Sequence, residues 1–257
     1  MVNRLFEELV ALPAVEAIAL GSSRAGESYD EKSDYDVYLY CTEPVPEAAR
    51  RDILSRCCDR MEIGNQFWEY EDNCTLKNGV DIDILYRSLD AFTADVASVV
   101  EECRARNGYT TCMWHNLMTC RIVYDRDGRL AAAKRRFDVP YPEALRQRII
   151  ERNMRLLHTA LPAYDAQIAK AVRRGDRVSV CHRTAAFLES YFDVIFALNR
   201  RTHPGEKRLV QLCRAHCPVL PERFEENLDG LFGDLFARPE RVGEDLAAIV
   251  GALERVL

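Results

Sequence analysis

The sequence predicts an α/β first half followed by an all-α second half. Three observations carry that division. Short apolar runs of strand length, at 15–20, 35–41 and 80–86, alternate with helix-period segments as far as Phe137. The stretch Val139-Pro140-Tyr141-Pro142 then punctuates the chain. Beyond Tyr141 every segment repeats at helical period. The boundary is accordingly placed to give domains 1–138 and 139–257.

In the first half, Leu5, Phe6, Leu9 and Val10 fall at helical spacing, and Pro13 ends that helix. Strand 15–20 follows, then a single helical turn over 23–28, then strand 35–41. Pro44 and Pro46 open a helix that should run to about Arg60, with Ile53, Leu54 and Cys57 inward. The pattern over 61–74 is mixed, and 67–70 could be read as a strand. Lys77-Asn78-Gly79 has the composition of a hairpin turn and leads into strand 80–86. Helices are predicted over 89–106 and 109–120, a last strand over 121–125, and a short basic helix over 130–137.

In the second half, Pro142 sits in the first turn of a helix to about Ala160 that keeps Leu145, Ile149, Met154 and Leu157 on one side. A helix over 162–174 stops at Gly175. Asp176 can cap the next, which reaches about Asn199 with Leu188, Phe192, Ile195 and Phe196 inward. Three more helices, starting near Glu206, Pro221 and Pro239, complete an up-and-down bundle.

A hydrophobic fraction of 48% with 30% charged residues is that of a water-soluble globular chain. The opening residues Arg4, Glu7 and Glu8 put charge where a signal peptide needs an apolar stretch. No apolar run approaches the roughly 20 residues of a membrane span. The expectation is a cytoplasmic protein with no membrane partner. A net charge of −6, with the acidic excess in the first half and no basic run, argues against nucleic acid as a partner. Ten cysteines in such a chain read as buried free thiols. Cys213 and Cys217, with His216 between them, come nearest to a metal cluster but lack a second pair.

The chemistry concentrates in Gly21-Ser22-Ser23-Arg24 and Ser33-Asp34-Tyr35-Asp36. Residues two apart in a strand point the same way, so Asp34 and Asp36 would project side by side. Paired carboxylates repel unless a cation lies between them, and ligands that are all oxygen suit magnesium. Backbone N–H groups at a Gly-Ser bend attract anions. Either feature alone is more often a solvated strand start or an ordinary loop. Their order is more telling: strand, Gly21-Ser22, Arg24, a short spacer, then Ser33-Asp34-x-Asp36 opening a second strand.

That order resembles the DNA polymerase beta-like nucleotidyltransferase superfamily, in particular the small bacterial enzymes that modify aminoglycoside- and lincosamide-type antibiotics. The resemblance covers roughly the first half of the chain. It implies a nucleotidyltransferase domain with a mixed central sheet, followed by a helical bundle that closes a cleft and shapes the acceptor site. It further implies a third acidic residue on strand 80–86, where Asp83, deeper in the strand than Asp81, is the preferred candidate. Gly21, Ser22, Arg24 and Ser33 would bind the triphosphate of ATP or another nucleoside triphosphate. Asp34, Asp36 and Asp83 would hold one or two Mg2+ ions.

The implied reaction moves a nucleoside monophosphate, AMP first, to a hydroxyl of a small molecule and releases pyrophosphate. Asp83, or Asp193 or Glu189 from the helical half, could take the hydroxyl proton. His182, Glu189 and Asp193 share one helix face, although an exposed face would look the same. Lys207 resembles a lysine that such enzymes send to the triphosphate, and it reads equally as a solvated first-turn residue. Arg183 is a weaker phosphate candidate, and His115 could touch a base. Two alternatives share the site: a nucleotide-binding regulatory module without transfer, and AMP transfer to a protein acceptor.

Overall fold

In a computed structural model the protein is described over residues 2–21, 34–66 and 69–257. It divides into two compact units. The first takes in residues up to Ala97 together with Asn116–Val139, and the second Ser98–His115 together with Pro140–Leu257. Residues 98–115, assigned from sequence to the first domain, pack with the helical unit.

The first unit opens with helix α1 (Val2–Val10), which lays Leu5, Phe6 and Leu9 inward, and continues into β1 (Val15–Leu20). After β2 (Tyr35–Cys41) comes helix α2 (Glu47–Cys57). Strands β3 (Cys58–Asn65), β4 (Glu71–Leu76) and β5 (Asp81–Arg87) follow. Helix α3 (Leu89–Val100), helix α4 (Cys112–Thr119), β6 (Arg121–Asp125) and helix α5 (Arg129–Phe137) complete the first half. The strands form one six-stranded sheet in the order β3-β4-β5-β2-β1-β6. Only β2 and β5 run parallel among its paired neighbours, so the sheet is mixed.

Alternation along the strands decides which face is core. Val37, Leu39 and Cys41 of β2 and Ile82 and Ile84 of β5 join Leu5, Leu9, Ile53 and Leu54 in one buried cluster, so α1 and α2 cover that face. Removing such apolar surface from water supplies most of the stabilisation, about 25 cal/mol per Å2. The opposite face carries Asp36, Tyr38, Asp83 and Arg87.

Two strands differ from the sequence reading. Helix α2 ends at Cys57, not near Arg60, because 58–65 forms the outer strand β3. Its exposed residues Asp59, Arg60 and Glu62 suit a sheet edge, where charge discourages pairing with another chain. β4 begins Glu71-Asp72-Asn73, residues of poor strand preference, and Phe67 and Trp68 lie outside the described residues. Partners make up for the missing propensity. Asp72 is fully buried and ion-paired with buried Arg50 of α2, and it also accepts from Tyr86 Oη at 2.8 Å and Gly64 N at 2.9 Å. Arg50 reaches Tyr70 Oη at 2.5 Å and lies over the Tyr70 and Tyr86 rings.

The second unit is helical. Its elements are α6 (Glu143–Met154), passing into a π turn at Arg155–Thr159, then α7 (Tyr164–Arg173), α8 (Arg177–Leu198), α9 (Leu209–His216), α10 (Phe224–Ala237) and α11 (Val242–Glu254). Asp176 caps α8 as its sequence position suggests, accepting from Ser179 N at 3.0 Å. Phe187, Tyr191, Val194 and Ile195 of α8 form the middle of the core, against Cys213, Leu228, Leu231, Leu246 and Ile249. None of the ten cysteines is in a disulfide. Among the described residues no helix is long and apolar enough to cross a membrane.

Candidate functional site

The parallel pairing of β2 with β5 sets Asp36 directly opposite Asp83. In-register residues of adjacent strands lie on one face, and the inward side is already taken by Val37, Ile82 and Ile84. Both carboxylates therefore stand on the face away from α1 and α2. Asp34 precedes β2 and is exposed.

Gly21 packs against the first of this pair, Asp36. Its N–H donates to the Asp36 carbonyl at 2.7 Å. A Cβ at Gly21 would lie 2.8 Å from both Asp36 Cβ and Tyr38 Oη, so only glycine fits here without displacement. Tyr38, two residues along β2, accepts from Asn116 Nδ2 at 2.6 Å and lies beneath the Arg87 guanidinium, 4.2 Å from its ring centroid. Arg87 in turn holds Glu69 through two bonds of 2.7 and 2.6 Å and Asn116 through one of 3.0 Å.

β4 supplies the other wall. Asn73 is the register partner of Asp83 and donates to its Oδ1 at 2.8 Å, while Asn65 donates to Asn73 Oδ1 at 2.8 Å. Glu71, two residues before Asn73, is buried. Burial pushes its carboxyl above the ordinary range, and the nearby Asp83, Glu69 and Asp36 charges push it further, against a hydrogen bond from Asn73. Negative charge thus gathers on one face, in a setting whose donors are all oxygen. Among the described residues no group of three or more His, Cys, Asp or Glu side chains is gathered closely enough to hold a metal ion.

Of the other residues singled out from sequence, Ser22, Arg24 and Ser33 lie outside the described residues. Lys207 belongs to the second unit and stands exposed in the turn ahead of α9. His182 and Arg183 are exposed on α8, and Glu189 is half-buried with its carboxyl raised by burial. His115 bonds Thr202 through Nδ1 at 2.8 Å within the second unit, and burial lowers its pKa.

Asp193 is not on an open face. It is 1% exposed and accepts from Thr110 N at 3.0 Å, Thr110 Oγ1 at 2.6 Å and Asn153 Nδ2 at 3.1 Å. Asn153 also accepts from Gly108 N at 3.1 Å, and Gly108, at φ +85°, lies where a Cβ would meet Glu189 Cβ at 2.7 Å. These groups fasten loop 106–111 to α6 and α8. Glu69, Glu71, Asn73, Arg87 and Asn116 escaped the sequence reading. The one signal for them was the even spacing of Glu69, Glu71 and Asn73 along a segment whose strand character was hidden.

Residues 109–209 match a domain family described as a domain of unknown function, DUF4037. No curated protein matches the sequence. Among solved structures, the chain is similar to a nucleotidyltransferase-like protein from Exiguobacterium sibiricum, at 12% identity and a TM-score of 0.44, over 99% of this chain and 72% of that one. It is also similar to an aminoglycoside 6-adenyltransferase from Bacillus subtilis, at 8% identity and a TM-score of 0.30, over 99% of this chain and 89% of that one.

Proposed function

We propose that the protein transfers a nucleoside monophosphate, AMP from ATP in the first instance, to a hydroxyl of a small molecule. The observation that carries this reading is the in-register pair Asp36–Asp83 on parallel strands, with Gly21 packed against Asp36. Two carboxylates set side by side are costly unless positive charge joins them. Their oxygens are of the type magnesium takes. Asp36 and Asp83 are the pair that would hold it, and Asp34, exposed just ahead of β2, is not gathered with them. An ion held there would supply charge to neutralise the triphosphate and polarise its α-phosphorus.

The chain's own residues do the positioning. Gly21 keeps the bend close to Asp36, and Ser22, Arg24 and Ser33 belong to the segment that would meet the phosphates. Asn73 holds Asp83 through Oδ1, leaving Oδ2 to take the proton of the acceptor hydroxyl. The acceptor oxygen bonds to the α-phosphorus as the bond from that phosphorus to the bridging oxygen breaks, and pyrophosphate departs. Asp193 is better read as an anchor, since its oxygens hold Thr110 and Asn153. Lys207, exposed and cationic, is the helical unit's candidate for the triphosphate.

The test incubates the chain with radiolabelled ATP, magnesium and a panel of hydroxyl-bearing small molecules, following both label transfer and pyrophosphate. Transfer that disappears in Asp36→Ala and Asp83→Ala supports the reading. A melting temperature raised equally by ATP with and without magnesium, and unchanged by those substitutions, would identify a nucleotide-binding module instead.

A further inference from the structure

The helical unit carries a groove that the transfer chemistry does not use. A cavity of about 520 Å3 is lined by Arg104, Arg148, Arg152 and Arg155, with Glu151 as its one carboxylate. Arg148, Arg152 and Arg155 follow one another at i, i+4 and i+7, so they rise along a single face.

What holds these arginines is uncharged. Arg148 Nη1 donates to the carbonyls of Glu102 at 2.8 Å and Cys103 at 3.2 Å. Arg152 Nε donates to the side-chain oxygen of Asn107 at 2.7 Å. The Arg155 guanidinium has no hydrogen-bond or ion-pair partner among the described residues. Only Arg104 is ion-paired, with exposed Glu102 at 3.1 Å. Neutral acceptors fix where two of the guanidinium groups sit and leave all three without an ion pair among the described residues.

The walls depart from regular backbone at the same place. Cys103, which lines the groove, sits at φ +54°, a left-handed conformation unusual for a residue other than glycine. α6 leaves α-helical geometry at Arg155, where the π turn begins, and such turns concentrate at functional sites.

Guanidinium groups match phosphoryl oxygens two at a time. Neighbouring members of this row are separated by about 5–6 Å between Cβ atoms, a spacing along which phosphoryl groups at more than one position of a ligand can each meet a guanidinium. The volume of this open groove is that of a small-ligand site. We propose that this groove binds a small molecule bearing two or more phosphoryl groups, with Arg148, Arg152 and Arg155 as its ligands. The inference does not depend on the transfer reading, which puts the donor's phosphates at the Gly21 bend.

The test titrates tripolyphosphate into the full chain by calorimetry, with EDTA present so that no metal can recruit the anion to Asp36 and Asp83. Binding is expected in the parent protein and in Asp36→Ala/Asp83→Ala. It should weaken by about tenfold in Arg155→Gln and be lost in Arg152→Glu/Arg155→Glu, the cost of one and of several charge-assisted contacts. All three arginines of the row are exposed, and unchanged circular dichroism and melting establish that the variants fold. The proposal is overturned by absence of binding in the parent, by full binding in Arg152→Glu/Arg155→Glu, or by an equal loss in the control Arg173→Glu/Arg174→Glu. It is also overturned if single-stranded RNA binds more tightly than tripolyphosphate through the same residues.

Discussion

The amide of Gly21 donates to the carbonyl of Asp36 at 2.7 Å, and the space a side chain would need at Gly21 is filled by Asp36 and Tyr38. Gly21→Ala must push one of them aside. The expected cost is about 1–3 kcal/mol of stability, as for other overpacked sites, together with loss of nucleotidyl transfer because Asp36 moves. Urea unfolding reads the first and pyrophosphate release the second. A fully active, equally stable Gly21→Ala protein would show that the close approach is unimportant.

Asn73 orients Asp83 without touching substrate in the proposed scheme. Asn73→Ala should leave stability within about 1.5 kcal/mol of the parent. Transfer should fall on the order of a hundredfold, the penalty of a carboxylate misplaced by about an ångström. A positioning role predicts that the loss appears in kcat more than in KM. Steady-state kinetics across ATP concentrations separate the two.

Arg50 and Asp72 form the buried ion pair that ties α2 to β4. Arg50→Met strands a buried charge and should destabilise the chain by about 3–5 kcal/mol. Arg50→Met/Asp72→Asn removes that charge and should recover part of the loss. Equal unfolding midpoints for the single and double variants would contradict this account.

Two buried groups in the helical unit give opposite dependences on pH. Burial raises Asp193 to about 6, against the bonds from Thr110 and Asn153. Between about pH 4 and 6 the folded chain holds this proton and the unfolded chain does not, so the contribution to stability falls as pH rises and is level above. Burial, and then neighbouring His115, lowers His203 to about 3. Its contribution therefore falls as pH drops below about 6.5. Unfolding series for Asp193→Asn and for His203→Phe, each subtracted from the parent, should show these slopes with opposite sign. The Asp193 difference should span about 2–3 kcal/mol.

Strands with conventional patterns could be read directly. Val37 and Leu39 alternate with Asp36 and Tyr38, and Ile82 and Ile84 with Asp83 and Leu85, which shows both the strand and the face on which its carboxylate lies. Asp176 was readable as a cap, and Lys77-Asn78-Gly79 as a turn, because those signals are local; Gly79 adopts φ +80°. β4 was not readable. Glu71, Asp72 and Asn73 become strand residues only through Arg50, Tyr86 and Asp83, which are distant in sequence. Asn73 and Glu71 therefore dropped out of the expected site. Asp193 was misplaced for a related reason: its helix position is consistent with an open face until loop 106–111 folds over it.

The β2–β5 junction also bears on how the site comes into being. Parallel neighbours cannot be linked by a tight turn, so the chain lays down α2 and β3 and enters the β4–β5 hairpin before β5 can seat against β2. Closing that long excursion is entropically uphill. A chain cut after β2 would keep Asp34 and Asp36 but lose the strand that sets Asp83 opposite Asp36, so the carboxylate pair needs everything through β5.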